Sequence, residues 1–227
     1  MQVKRTLSVG GLATIALLLS WVVFGRLARA SDEDHVQINF VGDQIAFEFT
    51  GEVTNNPPTP SAQLGSSNQY GYLTLVRGID NLFSGTPHNE TTALLTFFNE
   101  ATTQESISNG PLRIIDRNGT TTIYLNSAPA NFNNPDTFRA GIPVLIATLH
   151  QQVIVDTVDG TFTAVFENVV SSTSTSTING VSFRLAQKGQ AFRSTITGQL
   201  SATAPPPSGY FAGYAVGAGR QERHDQD

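Results

Sequence analysis

The chain has 227 residues, no cysteine, 14 % charged residues and a formal net charge of −5. Without cysteine it has no disulfide framework, Cys-ligated zinc, iron–sulfur cluster or thiol nucleophile, and its sparse, acidic charge argues against the basic stripe of a nucleic-acid binder. The length suits a single domain, and 20 Gly, abundant Ser and Thr and a single Met favour strands over helices.

The first thirty residues read as an export signal. Lys4 and Arg5 precede an uncharged run, Thr6 to Gly25, that is mostly apolar from Leu12 to Phe24. Ala28-Arg29-Ala30 then supplies small residues where a signal peptidase cuts. The alternative is an uncleaved N-terminal membrane anchor, since about 20 uncharged residues can span a bilayer. Cleavage after Ala30 removes four of the thirteen basic residues and none of the eighteen acidic ones. The remaining 197 residues carry −9, which disfavours stable insertion into or adhesion to anionic membranes. The reading is of a secreted, periplasmic or extracellular protein that holds together by packing alone.

Residues 31–218 read as one all-β domain. Val36, Ile38 and Phe40 alternate, and Gln44–Val53 follows with Ile45, Phe47, Phe49 and Val53 on one face and Glu48, Thr50 and Glu52 on the other. Tyr70–Ile79, apolar on both faces in part, and the long Thr91–Ser106 come next, the latter with Ala93, Leu95 and Phe97 on one side and Leu94, Thr96 and Phe98 on the other. Asn109-Gly110-Pro111 ends that strand. Asn118-Gly119 separates Leu112–Arg117 from Thr120–Leu125 with the strongest short hairpin signal known. Val144–Thr157 and Thr161–Ser171 flank Asp159-Gly160, and Asn179-Gly180 precedes Val181–Ala186. Ala191–Thr203 and Tyr210–Val216 complete nine or ten strands, with Gly198 marking a bend or bulge.

Sequential hairpins imply an antiparallel barrel of about eight to ten strands, with a β-sandwich as the alternative. Long strands and the need to remove sheet edges favour the barrel. The overall shape is similar to that of a lipocalin or an allene oxide cyclase barrel. The likeness is architectural alone, because the lipocalin G-x-W signature is missing and the only tryptophan is Trp21. Thr54–Ser67 and Asn126–Pro143 read as long loops, Ser171–Thr177 as an exposed edge or loop, Ala204–Pro207 as a stiff spacer and Gly219–Asp227 as a disordered polar tail.

Motifs for catalysis are absent. There is no G-x-S-x-G, no P-loop and no G-x-G-x-x-G opening a helix; Gly213–Gly219 reads as a small-residue strand. His35, His88, His150 and His224 are scattered without metal-ligand spacing, and Asp32-Glu33-Asp34 lacks the pattern of a calcium loop, so neither a metal nor a cofactor is expected. His150 is mid-strand and, if inward, a candidate acid or base; its neighbours Thr148, Gln152 and Asp156 point instead to the solvent face. Glu48, Glu52, Arg77, Glu100, Glu167 and Arg184 are the charged strand residues, and His150, Glu100 and Arg77 are the catalytic candidates. Phe97, Phe98, Phe166, Tyr72 and Tyr214 are candidates to line an apolar ligand cavity, with a filled core as the structural alternative. Asn89 and Asn118 match N-x-[ST], which matters only in a glycosylating host.

The expectation for function is a barrel that binds a small apolar molecule. A cofactor-independent cyclase or isomerase using the cavity, and a structural or surface-interaction protein, are the alternatives.

Overall fold

The computed structural model of the protein describes residues 35–201 and 208–220. The export-signal segment with the helix expected there, Asp32–Asp34, Ala204–Pro207 and the tail beyond Arg220, His224 included, lie outside the described residues. Eleven strands occur among those described: β1 Val36–Ile38, β2 Ile45–Asn56, β3 Ser66–Val76, β4 Leu95–Asn109, β5 Leu112–Leu125, β6 Ile142–Asp156, β7 Thr161–Thr173, β8 Thr175–Ile178, β9 Val181–Leu185, β10 Gln190–Leu200 and β11 Ser208–Arg220. A short 3-10 helix, Pro135–Arg139, is the one helical element among them.

Eight strands close into a barrel in the order β10-β11-β2-β3-β4-β5-β6-β7. Each neighbouring pair is antiparallel. Closure through β7 and β10 leaves no edge strand in the main sheet, which rules out the sandwich. The meander is interrupted once. The β8–β9 hairpin is inserted between β7 and β10 and joins β1, parallel to β9, in a separate three-stranded sheet. Phe40, which follows β1, meets Phe47 of β2 and Phe192 of β10 at ring-centroid distances of 5.8 and 5.3 Å. Ile178, Phe183 and Leu185 of the small sheet belong to the same buried cluster, so this sheet plugs one end of the barrel.

The turn chemistry worked where the backbone needs positive φ. Asn179 and Gly180 have φ of 50° and 82°, as a type I′ hairpin turn requires, and Gly110 and Gly160 are also left-handed at 60° and 68°. Asn118-Gly119 does not turn: both residues lie inside the continuous strand β5. Thr102 and Ala101 of β4 pair with them on one side, and His150 and Leu149 of β6 on the other. A β-carbon at Gly119 would fall 1.9 Å from the Glu100 carbonyl oxygen, so this glycine permits a close strand approach. Gly198 likewise marks no bulge, since the register with β7 and β11 runs through it unbroken. The space its β-carbon would need is taken by Phe162 and Phe211, at 2.5 and 2.8 Å.

Further differences trace to bulges and strand ends. A register shift against β11, where Ala215 pairs with Phe47 and Val216 with Ile45, breaks the alternation of β2, and Ile45 is exposed while Ala46, Phe47, Phe49 and Val53 are buried. Arg77 lies just past the end of β3 rather than within it. The strands flanking Thr54–Ser67 run further than expected, which shortens that loop to residues 57–65. Strand β11 runs on through Gly219 and Arg220.

Two apolar faces on β4 have a specific cause. Phe97 points into the barrel core, and Phe98 points outward beneath the segment between β5 and β6. There Tyr70, Phe98, Ala130 and Phe138 form a second buried cluster with Tyr72, Tyr124 and Phe132 packed on it. The Phe138 carbonyl accepts a hydrogen bond from Thr96 Oγ1 at 2.7 Å, which pins the 3-10 helix to the sheet. Arg139 lies 4.6 Å over the Phe98 ring and pairs with Glu100 at 3.0 Å. Exposed pairs contribute little, and a partly exposed cation–π contact adds about 0.5–1 kcal/mol. Arg139→Ala is therefore expected to lower stability by about 1 kcal/mol in urea denaturation; a loss above about 3 kcal/mol would show that the latch carries the outer cluster.

Candidate functional site

The interior is divided by residue type along the barrel axis. At the plugged end, Phe47, Phe49, Phe97, Ile123, Phe166 and Phe192 fill the space and leave a void of about 20 Å³. Phe49 and Phe97 meet edge to face at 5.3 Å, and Phe47 and Phe192 at 5.4 Å. A belt of polar side chains crosses the middle. Asn99 donates to Gln69 Oε1 at 3.4 Å, and Gln69 Nε2 donates to Ser67 Oγ at 3.1 Å and Gln151 Oε1 at 3.0 Å. Thr121 donates to Asn168 Oδ1 at 2.8 Å. Buried polar groups of this kind are expected to be bonded, and Asn99 Oδ1 is the buried side-chain oxygen left without a partner among the described residues.

Beyond the belt, toward the β2–β3, β4–β5 and β6–β7 connections, the barrel holds a cavity of about 730 Å³. Its walls are mainly apolar: Val53, Ile115, Val153, Val155, Phe162 and Ile196. Its rim includes the exposed residues Pro57, Pro58, Leu64, Arg113 and Thr157. Gln69, Gln151, Thr103 and Arg117 supply its polar groups on the belt side.

Arg117 is the feature the sequence reading missed. It is 6 % exposed and points into the cavity from the middle of β5. Its Nε donates to Thr103 Oγ1 at 3.3 Å and one Nη donates to Asn55 Oδ1 at 2.9 Å. Both partners are neutral, and the ion pairs among the described residues belong to Arg139 instead. Burial, and secondarily the positive charge of Arg113, lowers Arg117 to about 10, so it remains a cation at neutral pH.

The residues singled out in the sequence lie elsewhere. His150 is exposed on the outer face of β6, across from Glu167. Glu100 is exposed and bound to Arg139. Arg77 is exposed and donates to Gln44 Oε1. Phe97 and Phe166 are buried in the packed half and line only the 20 Å³ void. Phe98 and Tyr72 belong to the outer cluster, and Tyr214 is 46 % exposed on β11. None of these eight lines the large cavity. Among the described histidines, His88 stacks on Phe83 at 4.5 Å. No group of three or more His, Asp or Glu side chains converges among the described residues.

Outside the barrel, the Tyr70 hydroxyl donates to Glu52 Oε2 at 3.4 Å and shares a hydrogen bond with Thr54 at 3.2 Å. Burial raises the Glu52 pKa, opposed by the Tyr70 bond and assisted by Glu90. An acid whose pKa is higher folded than unfolded binds its proton more tightly when folded. Its contribution to stability therefore falls as pH rises through the ordinary and then the raised carboxylate range. Glu52→Gln removes that loss. The variant should gain stability relative to wild type as pH rises above the ordinary carboxylate range of about 4, read from urea midpoints; a difference that stays constant with pH would contradict the shift.

Comparison with family models, curated proteins and solved structures finds no match to this chain.

Proposed function

We propose that the protein binds a small, largely apolar molecule inside its barrel. The observation that carries this reading is the cavity of about 730 Å³ bounded by apolar walls in a barrel whose other half is packed with phenylalanine. Small-molecule sites span ~300–1,000 Å³, are mostly apolar and hold a few placed polar groups. A barrel serving only as a scaffold has no need of such a space, because packing it would strengthen the fold.

Polar groups do converge in this cavity, as the cyclase or isomerase alternative requires. They are amides, hydroxyls and guanidinium groups, which move no proton near neutral pH. The one carboxylate on the cavity wall, Asp156, accepts through Oδ1 from the backbone N–H groups of Val158 and Asp159 at 2.8 and 3.2 Å. The lining therefore suits holding and orienting a ligand better than general acid–base chemistry. We also read the protein as exported, on the strength of Lys4, Arg5, the apolar run and Ala28-Arg29-Ala30.

Uptake of N-phenylnaphthylamine, an uncharged apolar dye that brightens on leaving water, tests the reading. The wild-type barrel should bind it saturably. Ile115→Trp should fill part of the cavity and weaken uptake at least about tenfold, with the circular dichroism of the barrel retained. Absence of saturable uptake, or uptake unchanged by the filled cavity, would overturn it.

A further inference from the structure

We propose that the ligand is an amphiphile with a carboxylate head, and that Arg117 and Gln151 hold the head at the inner end of the cavity while the apolar walls take its body. This rests on the cavity reading above and specifies the chemistry of the same site.

The first observation is a buried cation with no counter-charge. A guanidinium at 6 % exposure carries a desolvation penalty that proteins ordinarily meet with a carboxylate. None is supplied here: Arg117 bonds only the neutral Thr103 and Asn55 among the described residues. A guanidinium has five N–H donors, and two of these bonds use one each. The rest have no partner among the described residues, and the residue lines the cavity. Arg113 and Asp156, of opposite charge, both line the outer part of the same space, and Arg117 is the charged group on its belt side.

The second observation is independent of charge. Gln151 sits directly across from Arg117 in the β5–β6 register, is 1 % exposed and lines the cavity. Its Oε1 is held by Gln69 Nε2 at 3.0 Å, which directs the amide. Nε2 is the donor end of that amide, on a side chain that lines the cavity. A guanidinium and an amide N–H side by side present two donors to one planar, two-oxygen anion, and charge-assisted bonds of this kind are the strong ones. The apolar part is fixed by geometry. From the belt outward the wall is Val53, Ile115, Val153, Val155, Phe162 and Ile196, which offers an alkyl or ring body contact but no further hydrogen bonds.

The test is displacement of N-phenylnaphthylamine by decanoate, methyl decanoate and decanol from the full chain. Wild type should prefer decanoate over its methyl ester by about tenfold or more. Arg117→Met should erase that preference while still taking up the neutral dye, and Arg117→Lys should restore part of it. Gln151→Leu should weaken decanoate more than decanol. Equal displacement by acid and ester in wild type would overturn the head-group assignment and leave the cavity reading standing. A preference that survives Arg117→Met would overturn it in favour of the rim arginine. Failure of wild type to take up the dye would bring down the cavity reading, and this proposal with it.

Discussion

Gly119→Val is expected to prevent the barrel from closing, with a loss of more than about 4 kcal/mol, a size reserved for disruptions with an identifiable cause. The cause is backbone against backbone. A β-carbon at this site would lie 1.9 Å from the Glu100 oxygen and 2.7 Å from the Ala101 Cα. Neither can retreat easily, because Ala101 pairs with Gly119 across β4 and β5, and Leu149 pairs with it from β6. The natural control is Gly110, a true turn glycine with φ of 60° and open space around its missing β-carbon. Gly110→Ala should lose only about 1 kcal/mol, the cost of a left-handed non-glycine residue. Urea denaturation followed by far-ultraviolet circular dichroism separates the two. If both variants lost the same small amount, β5 would have to be two strands joined at Asn118-Gly119.

Arg117→Met is expected to change stability and recognition in opposite directions. Methionine keeps the length of the aliphatic stem and removes a charge that has no partner of opposite sign. Replacing buried charges by apolar groups of similar volume is often stabilising by about 1–4 kcal/mol, and in a domain of this size each kcal/mol moves the melting temperature by about 2–4 °C. The variant should therefore melt higher than wild type while losing its preference for a carboxylate over an ester. Thermal unfolding without ligand measures the first half. A loss of about 3 kcal/mol or more would mean that the bonds to Thr103 and Asn55 make Arg117 a structural post, retained for the fold instead of for a ligand. The expected pattern is the familiar one of a binding site that holds stability in reserve until its ligand arrives.

The contrast between two Asn-Gly pairs shows what the sequence could and could not decide. Asn179-Gly180 turns and Asn118-Gly119 does not, although each is followed by a run of strand-forming residues. The local signal is the same, and the difference lies in the partners. Strands β4 and β6 each have 15 residues, and β5 between them must run 14 residues to satisfy their ladder groups. Tertiary pairing outweighs the turn preference there. The all-β class, the barrel and most strand positions were legible because period-two alternation is a local property. The plug was not, since the parallel pairing of β1 with β9 joins residues about 150 positions apart.

The site was hidden for a related reason. Arg117 stood at the end of the strand Leu112–Arg117, beside a supposed turn, and drew no functional reading there. Once β5 is continuous, Arg117 alternates with Ile115 and Gly119 on the inner face. Gln69 and Gln151 carry no charge and match no motif, and only the closed register sets them against Asn99 and Arg117. Conversely, His150, Glu100 and Arg77 drew notice for their chemistry, yet the polar neighbours of His150 already pointed it outward. Phe97 and Phe166 were rightly expected to be apolar and inward, but their rings meet others and leave no room, whereas the cavity is walled by smaller Val and Ile side chains.

The place where an amphiphile sits decides the chemistry of the barrel. The most direct measurement is a crystal structure of the protein soaked with decanoate. The carboxylate is expected within hydrogen-bond distance of the Arg117 guanidinium and the Gln151 amide, with the alkyl chain running along Ile115, Val153 and Phe162 toward the rim. A barrel whose cavity is closed by its own side chains, or a decanoate bound on the outer face or with its carboxylate at the rim, would contradict it.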